Sequence, residues 1–295
     1  MAMDSLPVRH HFARVNGIRL HYVTAGPEPS AARPPLYLLH GYPQSWYLWR
    51  KVVPPLAEHF SLVLPDLRGY GDSDKPVAGY DKRTMAADIR ELARHLGHGR
   101  LHLAGHDRGA RVAHRYALDH GETLTGVALL DILPTRTVFD RADRGIATGT
   151  WHWFFFQVPD LPEILFQADP EACLRYFFRS WSGTPSAIEE TAIQEYLRTF
   201  RVPGTVRATL EDYRMGATTD LEQDRADKQK RIEVPLLALW GGMGRLGTAF
   251  DILACWREKA RDVTGHALSA SGHFIPEEAP DELARELIGF FGKLA

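Results

Sequence analysis

The chain has 295 residues, 44% hydrophobic and 24% charged, with a formal net charge of -2. This ordinary globular balance is long enough for a large core or a core with an insertion, and gives no electrostatic reason to expect nucleic acid or an anionic membrane as partner. The two cysteines, Cys173 and Cys255, lie far apart without metal-ligand spacing. They are no disulfide framework, so a reducing, cytoplasmic setting is expected. The N-terminus MAMDSLPVRHHFARVNG lacks an apolar signal-peptide core, and no run of about 18 apolar residues provides a membrane span.

In chain order, HFARVNGIRLHYVTAG places Asn16-Gly17 between two β-type runs, the turn chemistry of a two-residue hairpin. Short apolar runs follow at 35–40, 61–66, 101–105, 126–132, 235–241 and 265–271. Amphipathic stretches such as KRTMAADIRELARHLG (82–97) separate several of them. Buried strands alternating with helices predict an α/β fold with a mostly parallel sheet, the hairpin adding antiparallel strands at its start. From 134 to 232 the alternation stops, and TWHWFFFQ, CLRYFFRSW and AIEETAIQEYLRTF read as helices rich in aromatics. We expect a core domain of residues 1–133 and 233–295, with a helical cap of residues 134–232 over the C-terminal strand ends, where ligands of open α/β sheets bind.

LAGHDRGARVAHRYALDH (103–120) reads as strand, sharp turn and helix, the context of a G-x-S-x-G nucleophile elbow with Asp107 in the serine's place. Taken alone, Asp107 is as well explained as the N-cap of the helix. The turn His40-Gly41-Tyr42-Pro43 after the first parallel strand suits an oxyanion hole made by the N–H groups of Tyr42 and Arg108. SASGHFIPEEAP puts His273 on the loop after the last strand, the place of the histidine in a catalytic set of this order. LALWGGMGRLG offers no acid after the penultimate strand, so the acid that orients His273 falls by elimination to Asp131 in LLDILPT. Its alternative role is capping the next element.

Together HGYPQS, DLRGYGDSDKP, GHDRGAR, LDILPT, the WHW of the cap, EDYR and SGHF resemble the fluoroacetate (haloacetate) dehalogenases of the α/β-hydrolase superfamily, over nearly the whole chain. HGxP and DxRGxG-S are generic to the superfamily, whereas HDRGAR with LDILPT is more specific. The chemistry of the residues agrees. A carboxylate attacking an ester carbonyl makes only an anhydride, but at a saturated carbon it displaces a leaving group and forms an alkyl ester. His273 would then activate water to hydrolyse that ester. Arg108 and Arg111, three apart at a helix start, could grip a substrate carboxylate and offset its repulsion by Asp107. The alternative for both is surface salt bridges.

The resemblance further implies a halide site of His152, Trp153 and Tyr213, whose N–H and O–H groups can donate to the leaving halide. On periodicity alone WHWFFF reads first as a cap helix packing its aromatics into a core, and the resemblance reverses that reading for His152 and Trp153. Trp181 is a further pocket candidate. The resemblance implies a small anionic haloacetate substrate, no cofactor or metal, and a homodimer. Where relatives commonly read HGFPQ this chain has HGYPQ, placing a phenol near the oxyanion hole. Alternatives are a haloacid dehalogenase active on chloro- and bromoacetate but poor on fluoroacetate, and an epoxide hydrolase using Tyr213, Tyr196 or Tyr176. A receptor that binds a small acid without turnover is a reading from a different class. No serine occupies the elbow, which disfavours a serine esterase.

Overall fold

A computed structural model describes residues 7–30 and 33–294. Eight strands form one sheet: β1 (Arg9–Val15), β2 (Ile18–Ala25), β3 (Leu36–Leu39), β4 (Leu62–Pro65), β5 (Leu101–His106), β6 (Leu124–Leu130), β7 (Leu236–Gly241) and β8 (Val263–Leu268). Their order is β1-β2-β4-β3-β5-β6-β7-β8. The first two pairings in that order, β1 with β2 and β2 with β4, are antiparallel, and all others are parallel. This is the α/β-hydrolase architecture expected from the sequence. The hairpin pairs Val15 with Ile18, and Asn16 and Gly17 both take positive φ, 46° and 79°, as a type I′ turn requires.

β3, β4, β5 and β6 are buried at every position, which is why they read as continuous apolar runs. The helix Lys82–His95 is capped by the Asp81 side chain and buries Met85, Ala86, Ile89, Leu92 and Ala93 along one stripe. β8 ends earlier than its apolar run suggests. It is the edge strand, and past Leu268 the chain leaves the ladder as the Ser271 carbonyl turns to accept the Met243 N–H at 2.9 Å.

Between β6 and β7 the chain forms a series of helices from Thr135–Asp140 to Thr219–Ala226. They contact the loops that leave the C-terminal strand ends, as where the His273 N–H donates to the Trp181 carbonyl at 2.9 Å. Among the described residues, no helix is long and apolar enough to cross a membrane.

The elbow after β5 depends on close backbone contact with β3. A Cβ on Gly109 would meet the His40 carbonyl oxygen at 2.3 Å and the Leu39 carbonyl oxygen at 2.5 Å. Neither is a side chain that can swing away. Gly109→Ala is therefore expected to lower unfolding free energy by at least about 2 kcal/mol, read by denaturant titration. A midpoint equal to that of the wild type would refute this packing argument.

Candidate active site

Parallel pairing brings the C-terminal ends of β3, β5, β6 and β7 to one side, and each end contributes to one cluster. Asp107 follows β5 at φ 47° and ψ -116°, a left-sided conformation unusual for a residue with a side chain. It stands at the N-cap position of the helix Arg108–Asp119, but its carboxylate caps nothing. Instead Oδ1 accepts the Tyr42 N–H at 2.9 Å, one of the two expected oxyanion donors. The Arg108 N–H lies at the start of that helix and makes no hydrogen bond to the carboxylate in this arrangement.

Asp131, after β6, also has positive φ, 52°. It does not cap a helix either: Oδ1 accepts the Gly241 N–H at 3.0 Å and Oδ2 lies 2.6 Å from Nδ1 of His273. That contact fixes the tautomer, with Nδ1–H donating and Nε2 carrying the lone pair. Nε2 has no hydrogen-bond partner and lies 4.0 Å from Asp107 Oδ2. His106 supports the same loop, its Nε2 lying 2.8 Å from the His273 carbonyl oxygen.

Charge states follow from this packing. Burial favours a neutral Asp107, but the nearby His273, His106, Arg108 and Arg111 outweigh it and hold its pKa below the ordinary carboxylate value. Burial likewise opposes a charged His273, yet the Asp131 hydrogen bond and the charges of Asp131, Asp107 and Glu278 raise its pKa above 6.5.

The two arginines have different environments. Arg108 is buried against Asp212, donating from Nε to Oδ2 at 3.0 Å and from Nη2 to Oδ1 at 2.6 Å and to the Asp212 carbonyl at 2.7 Å. Despite burial this pairing raises its pKa, and the guanidinium lies 4.3 Å from the centre of the Tyr213 ring. Asp212 also accepts from Tyr70 Oη at 2.7 Å and forms a short contact with Lys82 Nζ. Arg108 is absent from the cavity lining, so its expected place beside Arg111 on a substrate carboxylate is not what this arrangement presents. Asp212, within the EDYR run, escaped sequence analysis because its partners lie more than 100 residues away.

Arg111 does line the cavity. One terminal nitrogen donates to the Leu133 carbonyl at 3.0 Å and Thr135 Oγ1 at 2.8 Å, while its buried Nε–H has no acceptor. It has no carboxylate within ion-pair distance among the described residues. Burial and the neighbouring Arg108 lower its pKa to about 10, so it remains cationic near neutral pH.

The cavity, about 470 Å³, is lined by Asp107, Arg111, Asp131 and His273 from the strand ends and by His152, Trp153 and Trp181 from the helical insertion. The Trp153 ring carries the Arg111 guanidinium at 4.4 Å, and the Trp181 ring lies 4.6 Å from His152 and 5.3 Å from His273. Tyr213 sits behind this wall, 5.7 Å from His152 by ring centroids. Its hydroxyl and His152 Nδ1 are buried without partners. Burial depresses the His152 pKa to about 3 and raises that of Tyr213 well above 10, leaving both neutral. Tyr42 turns its ring into the insertion among Phe156, Phe177, Trp181, Phe200 and Tyr213, so its phenol does not line the cavity. Tyr176 borders the cavity, whereas Tyr196 is buried elsewhere on Glu277.

The alpha/beta hydrolase fold family matches residues 34–280. A soluble epoxide hydrolase from Corynebacterium sp. (strain C12) is 40% identical over 98% of this chain and 99% of its own. A fluoroacetate dehalogenase from Burkholderia sp is 39% identical over 94% and 91%. A solved structure from Nostoc sp PCC 7120, described as an alpha/beta hydrolase, superposes with a TM-score of 0.93 at 44% identity, covering 96% of this chain and 98% of that one.

A base at His273 works only when neutral, so product formation should rise with pH through a midpoint above 6.5. Asp131→Asn removes the charge and the acceptor that raise this pKa, and the residual activity should show its midpoint moved to lower pH. An unmoved midpoint would separate Asp131 from His273. Asp212→Asn leaves the buried Arg108 without its counter-charge, and a stability loss of about 3–5 kcal/mol is expected in chemical denaturation.

Proposed function

The chain belongs to the α/β-hydrolase family, and on that premise we propose that it hydrolyses haloacetates through an ester formed on Asp107, with fluoroacetate giving glycolate and fluoride. Asp107 Oδ2 attacks the halogen-bearing carbon, and the halide departs with the electrons of the broken carbon–halogen bond. His152 and Trp153, on the cavity wall, are the neutral donors for the departing halide, while Tyr213, expected as a third, packs behind them outside the lining. His152 holds an unpartnered buried ring nitrogen, Nδ1, for that purpose.

His273 Nε2 then takes a proton from water as the water oxygen bonds to the Asp107 carboxyl carbon. Negative charge gathers on the Asp107 oxygen facing the Tyr42 N–H, with the Arg108 N–H as the second donor. Collapse breaks the bond between the carboxyl carbon and the alkyl oxygen. The 2-hydroxy acid leaves with the proton held by His273, and the re-formed Asp107 carboxyl releases the second water proton. Net, one water is consumed and one proton and one halide are released. No step uses a metal or organic cofactor.

The observation that carries an anionic substrate is Arg111, a buried cation lining the cavity with no carboxylate partner among the described residues. A buried charge in that position is costly until something pairs with it. Arg108, already neutralised by Asp212, stiffens the wall behind Tyr213.

Epoxide hydrolysis is the second reading. Its specific support is the unpartnered His152 ring, which could donate to an epoxide oxygen, on the wall of a cavity roomier than haloacetate needs. The 40% identical relative named as an epoxide hydrolase points the same way.

The deciding assay measures halide release from fluoroacetate and chloroacetate beside diol formation from styrene oxide. Halide release is expected, and Asp107→Asn should abolish it. Arg111→Gln should raise KM for the haloacetate at least about tenfold, the value of one lost charge-assisted hydrogen bond. Chloride without fluoride would narrow the substrate to the better leaving groups. Diol without either halide would replace the haloacetate assignment with the epoxide one.

A further inference from the structure

Glu278, five residues after His273, gathers four backbone N–H groups on one carboxylate. Oε2 accepts from Gly183 at 2.7 Å, Thr184 at 2.8 Å and Gly272 at 3.0 Å, and Oε1 accepts from Phe274 at 3.0 Å. Gly272 and Phe274 flank His273 directly. Gly183 and Thr184 belong to the helical insertion, just after Trp181 and Ser182.

A helix cap would account for only one of these bonds. Phe274 is the N-cap of the short helix Ile275–Glu278, so the Oε1 bond resembles half of a capping box. The three bonds to Oε2 lie outside that helix and join two segments that are 89 residues apart. The segments also meet directly: the His273 N–H donates to the Trp181 carbonyl at 2.9 Å. Their backbones approach so closely that a Cβ on Gly272 would meet the Gly183 nitrogen at 2.1 Å.

We infer that Glu278 is a positioning residue for His273, binding the loop that carries the base to the Trp181 segment of the insertion. This rests on the reading of Asp107 as nucleophile and His273 as base. An amide at position 278 would present N–H where backbone N–H groups already converge, so the junction would open. Formation of the ester needs only Asp107 and the leaving-group donors, whereas its hydrolysis needs His273 Nε2 aimed at a water beside the carboxyl carbon. Loosening the junction should therefore slow the second step selectively.

The test uses the full chain with whichever of chloroacetate and styrene oxide the wild type turns over. Single-turnover mixing and mass spectrometry of the intact protein follow the ester on Asp107. His273→Ala should trap it. Glu278→Gln should slow ester hydrolysis about tenfold or more, with ester formation within about threefold of wild type, since misplacing a catalytic group by 1 Å can cost about a hundredfold.

Gly183→Ala provides a second route if the first variant fails to fold. It leaves the carboxylate intact, but its Cβ would meet the Gly272 nitrogen at 2.9 Å. It should slow the same step. Wild-type ester hydrolysis in the folded variants, or equal slowing of both steps, would overturn the role of Glu278. Failure of His273→Ala to accumulate ester, or turnover of neither substrate, would instead overturn the reading on which it rests.

Discussion

The site is organised around keeping one carboxylate ionised where water is largely excluded. Asp107 is only 7% exposed, and burial alone would favour its protonated, unreactive form. The elbow aims one of its oxygens at a backbone N–H and leaves the other on the side of His273. Arg111 and Arg108 supply positive potential from behind. Arg108 does so at a distance because Asp212 has claimed its hydrogen bonds, while Arg111 lines the cavity. Two cations three residues apart thus have different surroundings: one holds the insertion to the core, and the other lines the cavity.

Much of this was legible in the sequence. The buried strands announced themselves as apolar runs, and Asn16-Gly17 fixed the hairpin. GHDRGAR identified the elbow, and the absence of an acid after β7 directed attention to Asp131. The environments of charged side chains were less accessible. Helical spacing puts Arg108 and Arg111 on one face, but their different partners depend on a cap helix contributed a hundred residues later. Glu278 looked like any acid near a helix start, because the backbone groups it gathers carry no sequence signal. The phenol of Tyr42, expected to alter the polarity of the cavity, instead lies in the aromatic packing of the insertion.

Haloacetate and epoxide chemistries share most of this machinery. Both need a carboxylate nucleophile, an ester hydrolysed by a histidine, and donors opposite the nucleophile for a departing anion. They differ in what happens at the far side of the electrophilic carbon and in whether the substrate brings a charge. Two relatives of nearly equal identity bear names from the two chemistries. Between them, the pairing state of a single guanidinium carries more discriminating information than the arrangement of Asp107, His273 and Asp131 does.

Tyr42 has a consequence for how this protein can be altered. Its main-chain N–H donates to Asp107 while its ring forms part of the aromatic interior of the insertion. Arg108 is similarly shared, with its main chain in the elbow and its side chain in a cap helix. The insertion is therefore no interchangeable module. A cap transplanted from a relative would arrive without the socket that Tyr42 and Arg108 have been shaped to fill, and would disturb Asp107 through its nearest neighbours. Recombination between such enzymes should succeed most readily when the β3 turn, the elbow and the cap travel together as one inherited unit.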